Sequence, residues 1–134
     1  MATATIGAVR GAVQVTADTP TDLLGSTRDL MRAVLERNGL TPENVISVLF
    51  TTTPDLHSAF PAEAARTLGL VDVPLICAAE ISVPGAMERV VRLLAHVEWS
   101  EPRSRLQHVY LGRASALRPD LAQRGETRST TWSS

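Results

Sequence analysis

Prolines and glycines interrupt the pattern of helices and strands along the chain. The clearest segment lies between Pro20 and Gly39. Thr19 is a suitable N-cap, proline is favoured at the first helical position, and glycine is a common C-terminal stop. Apolar residues within this segment recur with the 3.6-residue period of a helix. We therefore predict a helix that buries one face.

The remaining segments predict four strands and two shorter helices. Strands are expected at 4–16, 45–53, 74–81 and 107–111, with an extension of the last through Ala116 left open. Short helices are expected from Pro61 through Leu68, ended by Gly69, and from Pro84 onward. The helix after Pro84 would turn its apolar side chains inward (Met87, Val90, Val91, Leu94) and its polar ones outward (Glu88, Arg89, Arg92, His96).

Two glycines, Gly7 and Gly11, lie inside the first predicted strand. Glycine within a strand indicates a bulge, or the close approach of another backbone or a ligand. Arg10 belongs to the same strand, and we expect its small neighbours to leave room for a ligand against the backbone.

Strands and helices alternate, but their connections vary too much for a doubly wound sheet. We expect an α+β domain with a mixed β-sheet and helices packed on one face. The other sheet face would need a cover, which self-association would supply. The domain should span residues 1–122, and the polar residues 123–134 should form a disordered tail.

The composition argues against several classes of function. The net charge of −1 argues against nucleic-acid binding, which would require a stripe of basic residues. No apolar run approaches the ~18 residues of a membrane span. The single cysteine, Cys77, cannot form an internal disulfide, which fits a cytoplasmic protein. The sequence shows no metal-ligand motif and no phosphate-binding glycine loop, so we expect no cofactor.

All 13 basic residues are arginines, and several stand in three uncommon strings. The first is Ala-Val-Arg-Gly-Ala at 8–12. The second is Thr-Pro-Asp-Leu-His-Ser-Ala-Phe-Pro-Ala-Glu-Ala-Ala-Arg at 53–66. The third runs from His-Val-Tyr-Leu at 108–111 to Leu-Arg-Pro-Asp-Leu at 117–121. A guanidinium presents a fork of donors that matches a carboxylate, so converging arginines would suit a small dianionic ligand.

In order, and over residues 5–121, these strings resemble the trimeric α/β class of monofunctional chorismate mutases. The resemblance implies a homotrimer whose sheets form a pseudo-α/β-barrel, with ligand clefts between subunits. It also implies that chorismate is rearranged to prephenate, without a cofactor, in the synthesis of phenylalanine and tyrosine. Chorismate and prephenate would be the ligands, and neither nucleic acid nor a membrane would be a partner.

The resemblance assigns catalysis to four residues. Arg92 would place its guanidinium on the ether oxygen, and Arg10 would clamp a carboxylate. Tyr110 would donate a hydrogen bond to a carboxylate, and Glu80 would accept one from the ring hydroxyl. From the residues alone, each has an ordinary alternative: Arg92 as a solvated partner of Glu88, Arg10 as an exposed strand residue, Tyr110 in the core, and Glu80 solvated at a strand end.

Further residues would line the cleft by resemblance. Phe60 would form an apolar wall against the ring, and Arg66 and Arg118 would lie at the mouth. The others would shape the pocket: Ala62, Leu75, Ile76, Cys77 and Leu117. Glu63 stands where some relatives place a lysine, and its charge would oppose a dianion. We expect one subunit to face another across the cleft, with Phe60, Ala62, Leu75, Ile76 and Cys77 opposite Arg10, Glu80, Arg92 and Tyr110.

Three functions from different classes remain open on the sequence. The first is chorismate mutase. The second is a trimeric imine or enamine hydrolase of similar architecture, and the third is a non-catalytic sensor of an aromatic metabolite. The strings around Asp55 and Asp120 favour the mutase. His57 beside Asp55 suggests a hydrolase dyad, but we expect these two residues to shape a turn, with Asp55 capping backbone amides.

Overall fold

The computed structural model describes residues 4–118, which form one five-stranded sheet and two α-helices. The strands are β1 (Thr5–Gln14), β2 (Val45–Thr52), β3 (Leu75–Ala79), β4 (Val90–Trp99) and β5 (Val109–Leu111); the helices are α1 (Pro20–Arg37) and α2 (Ala62–Thr67). Short 3₁₀ helices occupy Pro42–Asn44, Arg103–Arg105 and Gly112–Ala116. The tail predicted at 123–134 lies outside the described residues.

The sheet has the strand order β3-β2-β4-β1-β5. Strand β4 pairs antiparallel with β1 and β2, whereas the edge strands β3 and β5 pair parallel with β2 and β1. Both helices pack on one face, where their apolar side chains join those of the strands in the main core. The predicted α+β class, with a mixed sheet and helices on one face, is therefore confirmed.

Helix α1 begins and ends where the sequence predicts. The Thr19 hydroxyl accepts a hydrogen bond from the Asp22 N–H at 3.1 Å, and Pro20 is the first helical residue. Asn38 caps the C-terminal end, and Gly39 follows with a left-handed φ of 61°. The predicted apolar face is buried against the sheet: Leu23, Thr27, Leu30, Met31, Val34 and Leu35. The short helix predicted after Pro61 is also present as α2.

The helix predicted after Pro84 is wrong, because residues 84–89 form turns and residues 90–99 form the central strand β4. Gly85 (φ 83°) and Arg89 (φ 54°) take left-handed backbone conformations, which break a helix. The pattern misled because β4 carries apolar side chains on both faces, so helical spacing fits it as well. The extension of the last strand is also wrong, since Gly112 (φ 59°) begins a 3₁₀ helix after β5.

The interior glycines of β1 mark close approaches of other parts of the protein. A Cβ on Gly11 would lie 3.1 Å from the Val109 carbonyl oxygen and 3.1 Å from Leu30 Cδ1, and a Cβ on Gly7 would collide with Leu106. Gly11 thereby lets α1 and β5 pack against β1. Protein therefore fills the space on the Cβ side of both glycines, whereas the Gly11 backbone lines a hollow of about 400 Å³ together with Arg10, as the sequence predicts.

Replacing Gly11 with alanine should lower the free energy of unfolding by about 1–3 kcal/mol, because the added methyl group presses on a backbone carbonyl. Gly25 in α1 is a matched control, since nothing lies within 4 Å of its added Cβ. Gly25→Ala should raise the free energy of unfolding by about 0.5–1 kcal/mol through helix propensity. Urea unfolding measures both variants. Effects of the same sign would contradict this account of Gly11.

The sheet face opposite the helices, called the open face below, exposes large apolar side chains. Ile76 is 63% exposed, Ile6 is 58% exposed and Leu49 is 36% exposed. The strand register places these residues on the face that α1 and α2 leave uncovered. No helix among residues 4–118 is both long and apolar enough to span a membrane.

Candidate active site

The strand register brings residues from all five strands into one row across the open face. Tyr110 on β5 pairs with Ala12 on β1, which pairs with Arg92 on β4. Arg92 pairs in turn with Thr51 on β2, and Thr51 with Ala78 on β3. Side chains in register point to the same side of a sheet. Two of the four predicted catalytic residues, Arg92 and Tyr110, therefore share this row.

Arg10 lies on the open face diagonally from Arg92, in the neighbouring row opposite Leu94. Its backbone N–H donates to Nδ1 of His108 at 3.0 Å, which ties β1 to the segment leading into β5. Within residues 4–118 the Arg10 guanidinium makes neither a hydrogen bond nor an ion pair. Arg10 and Arg92 line the same hollow, of about 400 Å³. The Arg10 guanidinium is therefore available to an anionic ligand there.

Arg92 and Glu80 form an ion pair on the open face. Nη1 of Arg92 donates to Oε1 of Glu80, while the Thr51 hydroxyl donates to Oε2 at 2.6 Å. The Glu80 N–H donates to the Thr52 carbonyl at 2.9 Å, which fixes the residue just beyond the end of β3. The Glu80 side chain is 14% exposed and that of Arg92 is 35% exposed. The pair is thus largely shielded, but Arg92 can still reach a ligand.

A second hollow, of about 560 Å³, lies beside the pair and is lined by Glu80, Arg92, Asp55 and much of the loop that precedes β4. Arg92 lines both hollows. The alternative in which Arg92 pairs with Glu88 is wrong, because Glu88 pairs with Arg89 at 2.7 Å. Arg92 therefore stands between two spaces that a ligand could enter.

Tyr110 lies in a small cluster on the open face. It is 8% exposed and packs with Ala12, Val90 and Ala114, and Leu117 packs against this cluster. Arg118, the last described residue, is half-buried. Tyr110 is thus packed, as the ordinary alternative expects, and it also lies in the row of Arg92.

The remaining predicted residues form a second group, apart from Arg92. Phe60 is 68% exposed and lines a pocket of about 580 Å³ together with Cys77. Ala62 is 4% exposed, and Leu75 packs against the main core on the helix side. Within one chain, the structure does not bring Phe60, Ala62, Leu75 or Cys77 to the Arg92 side.

Three further residues complete the placement of the predicted site. Ile76 lies on the open face, in the row of Arg10. Arg66 and Glu63 are exposed on α2, and Glu63 lines the pocket beside Phe60. Cys77 and Glu80 lie on opposite sides of the sheet, as their spacing predicts, because Cys77 packs against the main core while Glu80 meets Arg92.

His57 and Asp55 do not form a dyad. His57 Nδ1 lies 3.3 Å from Oδ2 of Asp18, whose Oδ1 accepts the N–H groups of His57 at 3.1 Å and Ser58 at 3.0 Å. Hydrogen bonds from Ser58 and from the His57 amide stabilise the charged carboxylate and hold the pKa of Asp18 below its usual value. Asp18, and not Asp55 as expected, caps the amides of this turn.

Asp55 instead reaches the start of β4. Its carboxylate accepts the Arg89 N–H at 3.0 and 3.3 Å, and the Thr53 hydroxyl accepts the next N–H, that of Val90, at 3.0 Å. Arg89 is held at a left-handed φ of 54°, which costs a non-glycine residue about 1–2 kcal/mol. Thr53 and Asp55 therefore fix the backbone at the start of β4, just before Arg92.

Comparison with known proteins gives one consistent result. The model of the family described as chorismate mutase type I matches residues 6–121. The chain is 49% identical over 114 residues to chorismate mutase AroH of Thermus thermophilus. This alignment covers 84% of this chain and 93% of that protein. It is 39% identical over 118 residues to chorismate mutase AroH of Bacillus subtilis (strain 168), covering 87% and 93% respectively.

A solved structure, chorismate mutase from Clostridium thermocellum Cth-682, is similar in fold. It superposes with a TM-score of 0.80 at 39% identity, and the match covers 81% of this chain and 97% of that one. Of the three functions left open by the sequence, these matches support the isomerase. The chain therefore belongs to the chorismate mutase type I family.

Proposed function

We propose that this chain converts chorismate to prephenate on the open face, around the ion pair of Arg92 and Glu80. In this Claisen rearrangement an ether C–O bond breaks and a C–C bond forms within one molecule, so no nucleophile, proton transfer or cofactor is required. The protein must hold a compact conformer, neutralise two carboxylates and stabilise the charge that develops on the ether oxygen. The observation that carries the proposal is an oriented Arg92 guanidinium that borders both hollows.

Each polar residue has a distinct role in the proposal. Arg92 faces the ether oxygen, where its donors meet the negative charge of the transition state. Arg10 binds a substrate carboxylate with its fork of N–H donors. Tyr110 donates to a carboxylate, and Glu80 accepts a hydrogen bond from the ring hydroxyl. These roles follow the family resemblance, and the shared face and hollow of Arg10 and Arg92 support them.

The proposal includes a homotrimer in which a second copy completes each site. The open face exposes Ile6, Leu49 and Ile76, and such apolar surface is commonly buried against a partner. The hollow of Arg10 and Arg92 has no wall from Phe60 or Cys77 of the same chain. In a ring of subunits, a heterologous interface brings one patch of a copy against a different patch of its neighbour. Phe60 of one copy would then face Arg92 of the next.

Other parts of the proposal rest on the family and on residue positions. Arg66 and Arg118 bind the substrate at the mouth of the cleft, and Leu117 closes over the cleft. Ala62 and Leu75 support the residues that form its wall. Glu63, exposed beside Phe60, contributes a negative charge that does not bind substrate. The enzyme acts in the cytoplasm, in the synthesis of phenylalanine and tyrosine.

The purified protein should remove chorismate, followed by the loss of its absorbance, and should form prephenate in equal amount. Among residues 4–118 no group of three His, Cys, Asp or Glu side chains is arranged to hold a metal ion. The activity should therefore be unchanged after treatment with a chelator and dialysis. Absence of prephenate, or activity that returns only with an added metal, would contradict the proposal.

A further inference from the structure

Thr51 is a polar residue of the open face that the proposed function leaves without a role. Its strand, β2, lies between β3, which leads into Glu80, and β4, which carries Arg92. The Thr51 hydroxyl donates to Oε2 of Glu80 at 2.6 Å, while Arg92 donates to the other oxygen, Oε1. Thr51 also lines the hollow shared by Arg10 and Arg92. Thr51 is therefore placed to control how the ion pair forms.

The hydroxyl matters because of the way guanidinium and carboxylate groups pair. An arginine beside a carboxylate tends to use two N–H groups on its two oxygens at once. Here the Thr51 hydroxyl occupies Oε2, and Nη1 of Arg92 bonds only Oε1. A carboxylate has about four acceptor positions, so two remain after these two hydrogen bonds. The Arg92 guanidinium likewise keeps N–H donors that a two-point pairing would consume.

Resting on the proposed function, we propose that Thr51 is a positioning residue that competes with Arg92 for Oε2 of Glu80 and so disfavours two-point pairing between Arg92 and Glu80. With its hydroxyl in place, Glu80 keeps acceptor positions for the ring hydroxyl, and Arg92 keeps donors for the ether oxygen. Without it, Glu80, which lies beyond the last residue of β3, turns toward the guanidinium and both groups are withdrawn from the substrate. The backbone hydrogen bond from Glu80 to Thr52 holds the main chain but does not orient the carboxylate.

The test is a double-mutant cycle between Thr51 and Glu80. Thr51→Val removes the hydroxyl and keeps the branched shape, and it should lower kcat by about 10- to 100-fold with a smaller change in KM. Thr51→Ser, which keeps a hydroxyl, should restore most of the activity. In a Glu80→Ala background, Thr51→Val should cost at most about twofold more, because residues that act through one another are not additive.

Two controls separate positioning from folding. Thr5→Val makes the same change at the other end of β1 from the site, opposite Trp99, and should leave kcat and thermal unfolding near those of the parent. Thr51→Ala supplies a second variant without the hydroxyl, should the valine variant fail to fold.

The outcomes distinguish this inference from the proposed function. If Glu80→Ala lowers turnover but removal of the Thr51 hydroxyl does not, the inference on Thr51 is wrong and the proposed site stands. An equal loss from Thr51→Val in both backgrounds, or a serine variant as impaired as the valine variant, would also overturn it. If Glu80→Ala leaves turnover unchanged, the proposed site itself is wrong, and the role of Thr51 is overturned with it.

Discussion

Arg92→Ala should lower kcat by about 10²- to 10³-fold, the usual cost of losing one preorganised donor to a transition-state oxyanion. KM should change less, because the charge on the ether oxygen develops only as the bond breaks. Arg92→Lys should recover little, since a single ammonium cannot replace a planar fork that bonds Glu80 and, in the proposed role, the ether oxygen at the same time. Steady-state kinetics on chorismate measure both variants.

The control for Arg92 must also lose an arginine that pairs with a glutamate. Arg105, 60% exposed and 3.5 Å from Glu101, meets this condition away from the open face, and Arg105→Ala should keep normal kinetics. Because Arg92→Ala leaves a shielded carboxylate without its cation, thermal unfolding of each variant must accompany the kinetics. If Arg92→Ala folds and its kcat stays within about tenfold of that of the parent, the activation barrier has risen by less than ~1.4 kcal/mol. Arg92 would then have no catalytic role in the site.

Arg10→Ala should lower kcat/KM by about 10- to 100-fold, as expected when a carboxylate loses a charged hydrogen-bonding partner. The loss should fall more on KM than the loss from Arg92→Ala does, because the carboxylate is bound in both ground and transition states. Stability should be nearly unchanged, since within residues 4–118 the Arg10 guanidinium bonds to no other group. Kinetics and urea unfolding of the same preparation measure the two effects.

The matched control for Arg10 is Arg113→Ala, which removes an exposed arginine from the 3₁₀ helix after β5. Its kinetics should stay close to those of the parent. If Arg10→Ala binds and converts chorismate as the parent does, then the hollow between Arg10 and Arg92 is not where a carboxylate binds. A large loss of stability in Arg10→Ala would instead show that the side chain supports the sheet.

Local signals explain why much of the fold could be predicted. The ends of α1 depend on Thr19, Pro20 and Gly39, whose effects act within one helical turn and need no knowledge of the rest of the chain. Strand β4 was predicted as a helix because it carries apolar side chains on both faces of the sheet. Such a central strand loses the simple alternation that separates strand from helix. The left-handed backbone of Arg89, which ends any helix there, is imposed by the distant Asp55.

The candidate site, too, could be predicted only in part from the sequence. Its residue types were assigned from the strings and their resemblance to a family, but no string says that Glu80 meets Arg92. That contact requires the order β3-β2-β4, so it depends on tertiary structure. The sequence gives only a weak indication that Thr51 belongs to the site: it follows the buried Phe50, so its side chain lies on the other face of the strand. Its bond to Glu80 could not be inferred without the register.

The proposed site is built from two copies of the chain, and mixing two inactive variants tests this directly. Arg92→Ala removes the cation from one side of the cleft. Phe60→Asp places a negative charge on the other side, at a residue 68% exposed in the single chain. Each variant alone should form trimers by sedimentation and lack activity.

When the two variants are unfolded and refolded together in equal amounts, about one quarter of the interfaces should combine two intact halves, if subunits assemble at random in a closed ring. Activity should return toward this fraction of the parent's activity, and mixed trimers should be visible by native mass spectrometry. Mixed trimers that remain as inactive as either variant alone would contradict a site shared between subunits.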